Sequence, residues 1–346
     1  MKRMENHFRY QELWHLYSAE TPDFISRLSD TPPMQRLKQV GMNCGCEYVA
    51  LHRDDMCRRY TRYEHSVGVA LIVWHFTQDA KQAIAGLFHD ISTPAFAHVV
   101  DFLNGDHLTQ ESTESRTAEM IDSSTEIQAI LSELNLTTAD VCDYHLYPIA
   151  DNASPQLSAD RLEYTFGNFI QYGVCGTEDI ARFYHALSAD TNEHGQPEII
   201  FKDPAIAEEF AMRSMKNAYV YISDSDRFTM QFLAELLKDA IGSISLTVDD
   251  LYTTEERVIR KLKKCRITDN AWYTYTKIKG VRRTPKPVPD TFCFRVNAKR
   301  RYLDPYVKEM GRVTRFSEKY RAEVEKFLAV SFEEWLSEPR EAEGRR

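Results

Sequence analysis

The chain has 346 residues, 43% of them hydrophobic and 27% charged, with a formal net charge of −9. This is an ordinary globular composition with ample material for a core, and the acidic balance argues against a broad nucleic-acid-binding surface. The longest apolar run, VGVALIVWHF at 67–76, falls far short of the roughly 20 residues that a bilayer span needs. MKRMENHFRY at the start has no apolar signal core, so a cytoplasmic protein without a membrane partner is expected.

Helix signals dominate the first part of the chain. Thr21-Pro22 and Thr31-Pro32 each pair an N-cap residue with a proline suited to a first turn, and Gly41 follows as a stop. HSVGVALIVWHFTQDA (65–80) and KQAIAGLFHD (81–90) are apolar around most of their circumference, which predicts two helices in the centre of a bundle. Asn104-Gly105-Asp106 marks a turn, and ESTESRTAEMI reads as a polar helix after it. DIARFYHAL (179–187) and RFTMQFLAELLKDAIG (227–242) have helical spacing, whereas HGQPEIIFKDP (194–204) between them suggests a two-stranded ribbon. Further on, AWYTYTKIKGV and DTFCFRVNAKRRYL read as strands around the turn RTPKPVPD, and RFSEKYRAEVEKFLAVSFEEWL as an amphipathic helix. The expected class is mainly α, with a helical body over 1–250, a small α+β C-terminal lobe over 251–336 and a disordered tail over 337–346.

Seven cysteines, at 44, 46, 57, 142, 175, 265 and 293, form no disulfide framework and fit a reducing compartment. Cys44-x-Cys46 with Cys57 lacks the second pair that a structural zinc site needs, and buried thiols are the simpler reading. Residues 251–325 hold about twenty Lys and Arg against about nine acids. A basic segment in an acidic chain is either a solvated face or a contact with phosphates, of a nucleotide or a polynucleotide.

His89 and Asp90 pose a sharper problem, because they end a segment built from Ala83, Ile84, Ala85, Leu87 and Phe88. A buried carboxylate without a partner costs several kcal/mol, so a cation must neutralise Asp90, either an Arg or Lys side chain or a metal ion. His65 opens the preceding apolar helix, and Asp160 opens a segment with the aromatic spacing Tyr164, Phe166, Phe169. Two imidazoles and two carboxylates from separate elements are therefore available to one ion. Neighbouring helical side chains diverge by about 100°, so His89 and Asp90 share an ion only if it lies beside the helix. An N2O2 set suits Mn²⁺ or Fe²⁺, with Zn²⁺, Co²⁺, Ni²⁺ and Mg²⁺ as alternatives. Arg62, in an RRYTR cluster one turn before His65, is what an anionic substrate needs on an acidic protein.

The order His65, His89-Asp90, Asp160 resembles the HD-domain metal-dependent phosphohydrolases, and within them the dNTP triphosphohydrolase branch that includes the sterile-alpha-motif and HD-domain dNTPases. The strings TPPMQRLKQVG (31–41), TRYEHSVGVA (61–70), GLFHDISTPAFAH (86–98) and ADRLEY (159–164) carry the resemblance. It implies that His65, His89, Asp90 and Asp160 ligate the metal, that Arg62 binds phosphate, that Arg161 and Tyr164 line a nucleotide pocket, and that His98 holds a site-lining catalytic position. A nucleotide or other small phosphorylated substrate and a homo-oligomeric assembly are implied with it. Nucleic acid is not expected as a partner, although the basic lobe leaves room for it.

Two departures bear on the chemistry. The family places Gly-His after the HD pair, where this chain has Ser92-Thr93, and its proton-donating His-Glu aligns best with Gln110-Glu111. Glutamine cannot deliver a proton. Glu111, which shares a helix face with Glu114, or His107 would take that role, the alternative being a solvated polar face. YVYISDSDRFTMQF (219–232) also lacks the Tyr-Gln pair that contacts sugar and base in the family. Three readings result: a dNTP triphosphohydrolase, a nucleotidase or phosphodiesterase on another small phosphorylated ligand, and a nucleotide-binding sensor with little turnover.

Overall fold

The two apolar segments form the helices Arg62–Thr77 and Ala80–Phe88, which lie along one another at the centre of the molecule. Every residue from His65 to Val73 is buried, as apolarity all round the helix requires. Gln78 ends the first helix in the left-handed region at φ 51. Asp79 starts the second by accepting from the Lys81 N–H at 2.9 Å. A third helix, Ala159–Gln171, crosses the first, with Ser158 as its N-cap. Glycine sets the distance at that crossing. A Cβ on Gly68 would meet Glu163 Cγ at 2.7 Å, and one on Gly167 would meet the Tyr60 ring at 2.4 Å, so the two missing side chains make the space that Glu163 and Tyr60 occupy.

The computed structural model describes residues 10–52, 60–104 and 116–339, and it is mainly α with a small α+β C-terminal lobe. Thr31 precedes the helix Pro32–Arg36 as the sequence predicts, while the helix after Thr21-Pro22 begins one residue later, at Asp23. The ribbon forms from Leu187–Thr191 and Pro197–Phe201, antiparallel, with Leu187 opposite Phe201. Its second strand also pairs in parallel with Tyr306–Val307, which pairs with Gly311–Arg312. Buried Glu198 accepts from Arg312 at 2.6 Å and pins that junction. One apolar cluster surrounds the central helices and takes in Val313, Tyr320 and Phe327. A second surrounds the helix Asp224–Gly242 and takes in Ala95 to Ala97, Trp272, Tyr275 and Leu336. Among the described residues no helix is long and apolar enough to cross a membrane.

Two local expectations are corrected. AWYTYTK belongs to a helix, Arg266–Lys277, rather than a strand. Its buried residues are Thr268, Trp272 and Tyr275, four and three apart, so one helical face is covered by the second cluster, and Tyr275 donates its hydroxyl to the Gly45 carbonyl at 3.0 Å. The predicted C-terminal helix stops at Leu328, and Trp335–Ser337 returns as a strand between Arg282–Thr284 and Cys293–Phe294. Pairing on both edges satisfies the backbone groups that burial of Leu336 and Ser337 would otherwise strand. Ser337 is thus part of the sheet, and residues 340–346 of the expected tail lie outside the described residues.

The crossing yields a stability prediction. Gly167→Ala should gain about 1 kcal/mol in helix propensity but force a methyl into the buried Tyr60 ring, an overpacking that costs roughly 1–3 kcal/mol. A lower melting temperature than wild type is expected, and an unchanged or higher one would show that the ring yields freely.

Candidate metal centre and cavity

Three helix ends bring the polar residues together. Thr61 and Glu64 form a capping box that fixes the start of the 62–77 helix and with it His65 in the first turns. His89 follows the last residue of the 80–88 helix, and the chain then turns, with the Thr93 N–H donating to the Asp90 carbonyl at 2.9 Å. That turn solves the divergence problem: His89 Nε2 and Asp90 Oδ2 stand 3.4 Å apart. Asp160 lies in the first turn of the 159–171 helix.

The two imidazoles face each other with their Nε2 atoms 3.1 Å apart. His65 Nε2 is also 3.1 Å from Asp160 Oδ1 and 3.8 Å from Asp90 Oδ2. Both far nitrogens are committed, since His65 Nδ1 donates to Glu163 Oε2 at 2.6 Å and His89 Nδ1 donates to the Gly86 carbonyl at 2.7 Å. Acceptors behind both rings place the Nε2 lone pairs on the inner side, the tautomer and orientation that metal-ligating histidines adopt. The ligand atoms of His65, His89 and Asp160 all lie within 4.8 Å of one another. Two lone pairs and a carboxylate so close in a buried place repel unless a cation joins them, so the donor set fits a divalent ion. Burial opposes protonation of His65, yet the hydrogen bonds to Asp160 and Glu163 push it up to about 10. Without an ion, a proton therefore occupies the inner Nε2 position beside Asp160, and a metal binds there by displacing it.

Asp90 has a second role. Arg62 Nη1 donates to Asp90 Oδ2 at 2.8 Å, Thr93 Oγ1 donates to Oδ1 at 2.5 Å, and both ion-pair partners are buried. Arg62 therefore answers the question of what neutralises Asp90. Against the burial that would raise it, this guanidinium and His89 hold the Asp90 carboxyl well below its usual range.

These groups form one wall of a cavity of about 360 Å³. Arg62, Arg161, Tyr164 and His98, all expected at the site, line it. Arg161 is tied to the neighbouring loop, donating to Asn152 Oδ1 at 2.7 Å and pairing with Asp151 at 3.1 Å. His98 Nδ1 donates to buried Asp101 at 2.8 Å, which orients its ring. Burial lowers the His98 pKa, Asp101 works against that, and the charge of Arg62 lowers it further. Glu111 and His107 lie outside the described residues. Cys44 and Cys46 are buried thiols, and burial pushes Cys44 up to about 12; Cys57 lies outside the described residues.

Sequence reasoning missed Glu163 and Tyr60. Glu163 is 1% exposed and accepts from the Tyr60 hydroxyl as well as from His65. Its place three residues after Asp160, on the same helix face, was the available signal. Asp101, Asn168, Asp226, Lys299 and Arg301 were missed too, and only the fold carries the last four to the cavity.

No family model matches the chain. It is 26% identical over 242 residues to the uncharacterized protein YdhJ of Bacillus subtilis, covering 69% of this chain and 70% of that one. It is 30% identical over 169 residues to a protein of Cordyceps militaris named metal-dependent phosphohydrolase cns2, covering 48% of this chain and 46% of that one, about half the length of each. The crystal structure of a hypothetical protein from Aquifex aeolicus matches with a TM-score of 0.63 at 19% identity, over 92% of this chain and 93% of that one, which shows a common fold. The sequence similarity thus includes a protein with a metal-dependent phosphohydrolase name, in keeping with the His/Asp cluster and with the resemblance to the HD-domain superfamily.

Three outcomes follow from the geometry. Glu163→Gln keeps the shape but removes the charge behind His65, so manganese affinity measured by titration calorimetry should fall about 10–100-fold; equal affinity would make Glu163 a packing residue. Asp90→Ala leaves the buried Arg62 guanidinium unpaired, a loss of roughly 3–5 kcal/mol, and should lower the melting temperature even in chelator. Asp226 yields a pH dependence. Burial pushes its carboxyl from 3.8 up to about 7, with the Cys46 thiol and Arg227 opposing. Between those values the folded chain holds a proton that the unfolded chain has released, so this contribution to stability is full below 3.8 and is lost as pH rises to about 7. Asp226→Asn should flatten the pH–stability profile in that window, and an unaltered profile would assign the slope elsewhere.

Proposed function

We propose that this chain is a metal-dependent phosphohydrolase acting on a nucleotide, most simply a dNTP triphosphohydrolase that releases the deoxynucleoside and triphosphate. The observation that carries the reading is the convergence of His65 Nε2, His89 Nε2 and Asp160 Oδ1 on one point of the cavity wall, with Arg62 and Arg161 beside them. His65, His89 and Asp160 would hold the ion, with Asp90 beside them as the fourth ligand. A divalent ion there supplies Lewis acidity and neutralises charge on phosphoryl oxygens.

The chain's own groups do the rest. Arg62 is held rigid by Asp90 and offers its remaining edge to an anion, and Arg161 is held by the 151–158 loop. Lys299 and Arg301 bring the basic C-terminal segment to the same cavity, which favours the phosphate reading of that segment over a solvated face. His98 is the proton-transfer group that the described residues offer. Asp101 fixes its Nδ1, and because burial and Arg62 hold its pKa down, Nε2 is free to accept a proton at neutral pH.

The test is a product assay with Mn²⁺ across dNTPs, NTPs and nucleoside monophosphates, separating triphosphate from orthophosphate. Triphosphate release is expected. Orthophosphate alone would make the protein a nucleotidase, and no product from any substrate would overturn the enzyme reading. His98→Asn should lower kcat by about 10²–10⁴-fold with metal content retained, and a rate near wild type would remove His98 from the chemistry.

A further inference from the structure

Besides His98 and Asp101, a second histidine–aspartate pair stands at the cavity. His145 lines it with a side chain that is 54% exposed. The residue sits in the short helical turn Tyr144–Leu146, which Asp143 caps by accepting from the His145 N–H at 3.1 Å. His145 Nδ1 donates to Asp151 Oδ2 at 2.9 Å. Asp151 is buried and fixed in turn, since its Oδ1 accepts from Ser158 Oγ at 3.2 Å and pairs with Arg161 at 3.1 Å.

Two ties hold this pair beside the metal-fitting wall. The buried Tyr144 ring packs against both histidines, its centroid 5.1 Å from that of His89 and 4.3 Å from that of His145. In addition, the Ala159 and Asp160 N–H groups donate to the Ile149 and Ala150 carbonyls at 2.8 and 3.2 Å. The 144–151 segment is thereby bonded to the helix start that carries Asp160. One ring contact separates His145 from the His89 ring, and Asp151 directly follows the backbone partner of Asp160. With Nδ1 committed to a carboxylate, Nε2 lies on the far side of the ring. That is the arrangement in which a histidine is oriented through one nitrogen and exchanges protons through the other.

We infer that His145 is the general acid that protonates the leaving oxygen, with Asp151 as its positioning residue. The inference deepens the nucleotide phosphohydrolase reading and rests on it. Hydrolysis there needs two proton transfers. His98 Nε2 can accept a proton from the attacking water, whereas the oxygen that leaves phosphorus must gain one, and Gln110 cannot give it. In the step proposed, the water oxygen bonds to phosphorus while its proton passes to His98. The bond from phosphorus to the nucleoside oxygen breaks, its electron pair stays on that oxygen, and the Nε2 proton of the His145 imidazolium passes to it, with Asp151 holding the ring. The half-exposed His145 ring then takes a proton back from solvent.

The experiment uses the full chain with Mn²⁺ and the dNTPs and nucleoside monophosphates of the product assay. His145→Asn keeps an N–H for Asp151 but has no proton to give, so kcat should fall about 10²–10⁴-fold with KM little changed. Manganese content and melting temperature should match wild type, which separates a lost acid from a damaged site. In His145→Ala, imidazole added to the assay should restore part of the rate, because a free acid can enter the place of a half-exposed side chain. A kcat near wild type in His145→Asn, a loss that falls on KM or on manganese content instead, or no recovery of His145→Ala with imidazole would overturn the assignment. Hydrolysis that His145→Asn leaves intact sinks this inference alone, whereas no hydrolysis by the wild-type chain sinks the phosphohydrolase reading and this inference with it.

Discussion

Two imidazole nitrogens 3.1 Å apart, with a carboxylate oxygen at the same distance from one of them, form the contact on which the rest of the structure depends. Each ring is turned inwards by an acceptor at its back, Glu163 for His65 and the Gly86 carbonyl for His89. In a low-dielectric interior such an arrangement stores repulsion that a cation relieves. The scaffold accordingly resists collapse at this point. Gly68 and Gly167 leave room for Glu163 and Tyr60, and the buried Arg62–Asp90 pair keeps one carboxylate from adding to the excess negative charge.

The same charges organise the cavity. The chain is acidic as a whole, yet Arg62, Arg161, Arg227, Lys299 and Arg301 all reach one cavity, two of them from the basic C-terminal segment. Local field rather than net charge governs what enters a cleft. The tie between Glu198 and Arg312 holds the ribbon Leu187–Thr191 and Pro197–Phe201 to the strand pair at 306–312, which helps keep the C-terminal segment against the helical body. The helix Ala159–Gln171 carries Asp160 at the metal-fitting wall and, further along, Tyr164 and Asn168, which also line the cavity.

Much of this was legible residue by residue. The central helices could be read because apolarity all round a segment leaves burial as its only stable state, and the ribbon near Gly195 because a turn followed by a short β-branched run is a local signal. His65, His89 and Asp160 were legible as a set in order. Glu163 was legible in principle, three residues after Asp160, but a carboxylate on a helix face is usually solvated and only the crossing with the 62–77 helix buries it. Arg62 was read as a phosphate ligand, whereas its nearest charge is Asp90.

What the sequence alone determined is the type and order of the donors, the two core helices and the mainly α class, because each follows from side-chain chemistry or from a repeat within a few turns of chain. What only the tertiary structure decided is which donor meets which partner. The helix Arg266–Lys277 prevails over an alternating aromatic pattern because Trp272 and Tyr275 find a core on one side. Trp335–Ser337 becomes a strand because two distant segments offer it hydrogen bonds. Asn168 and Asp226, 58 positions apart, line one cavity because two helices bring them there. Those outcomes rest on contacts between residues far apart in the chain, whose free energy exceeds the local preferences that sequence patterns express.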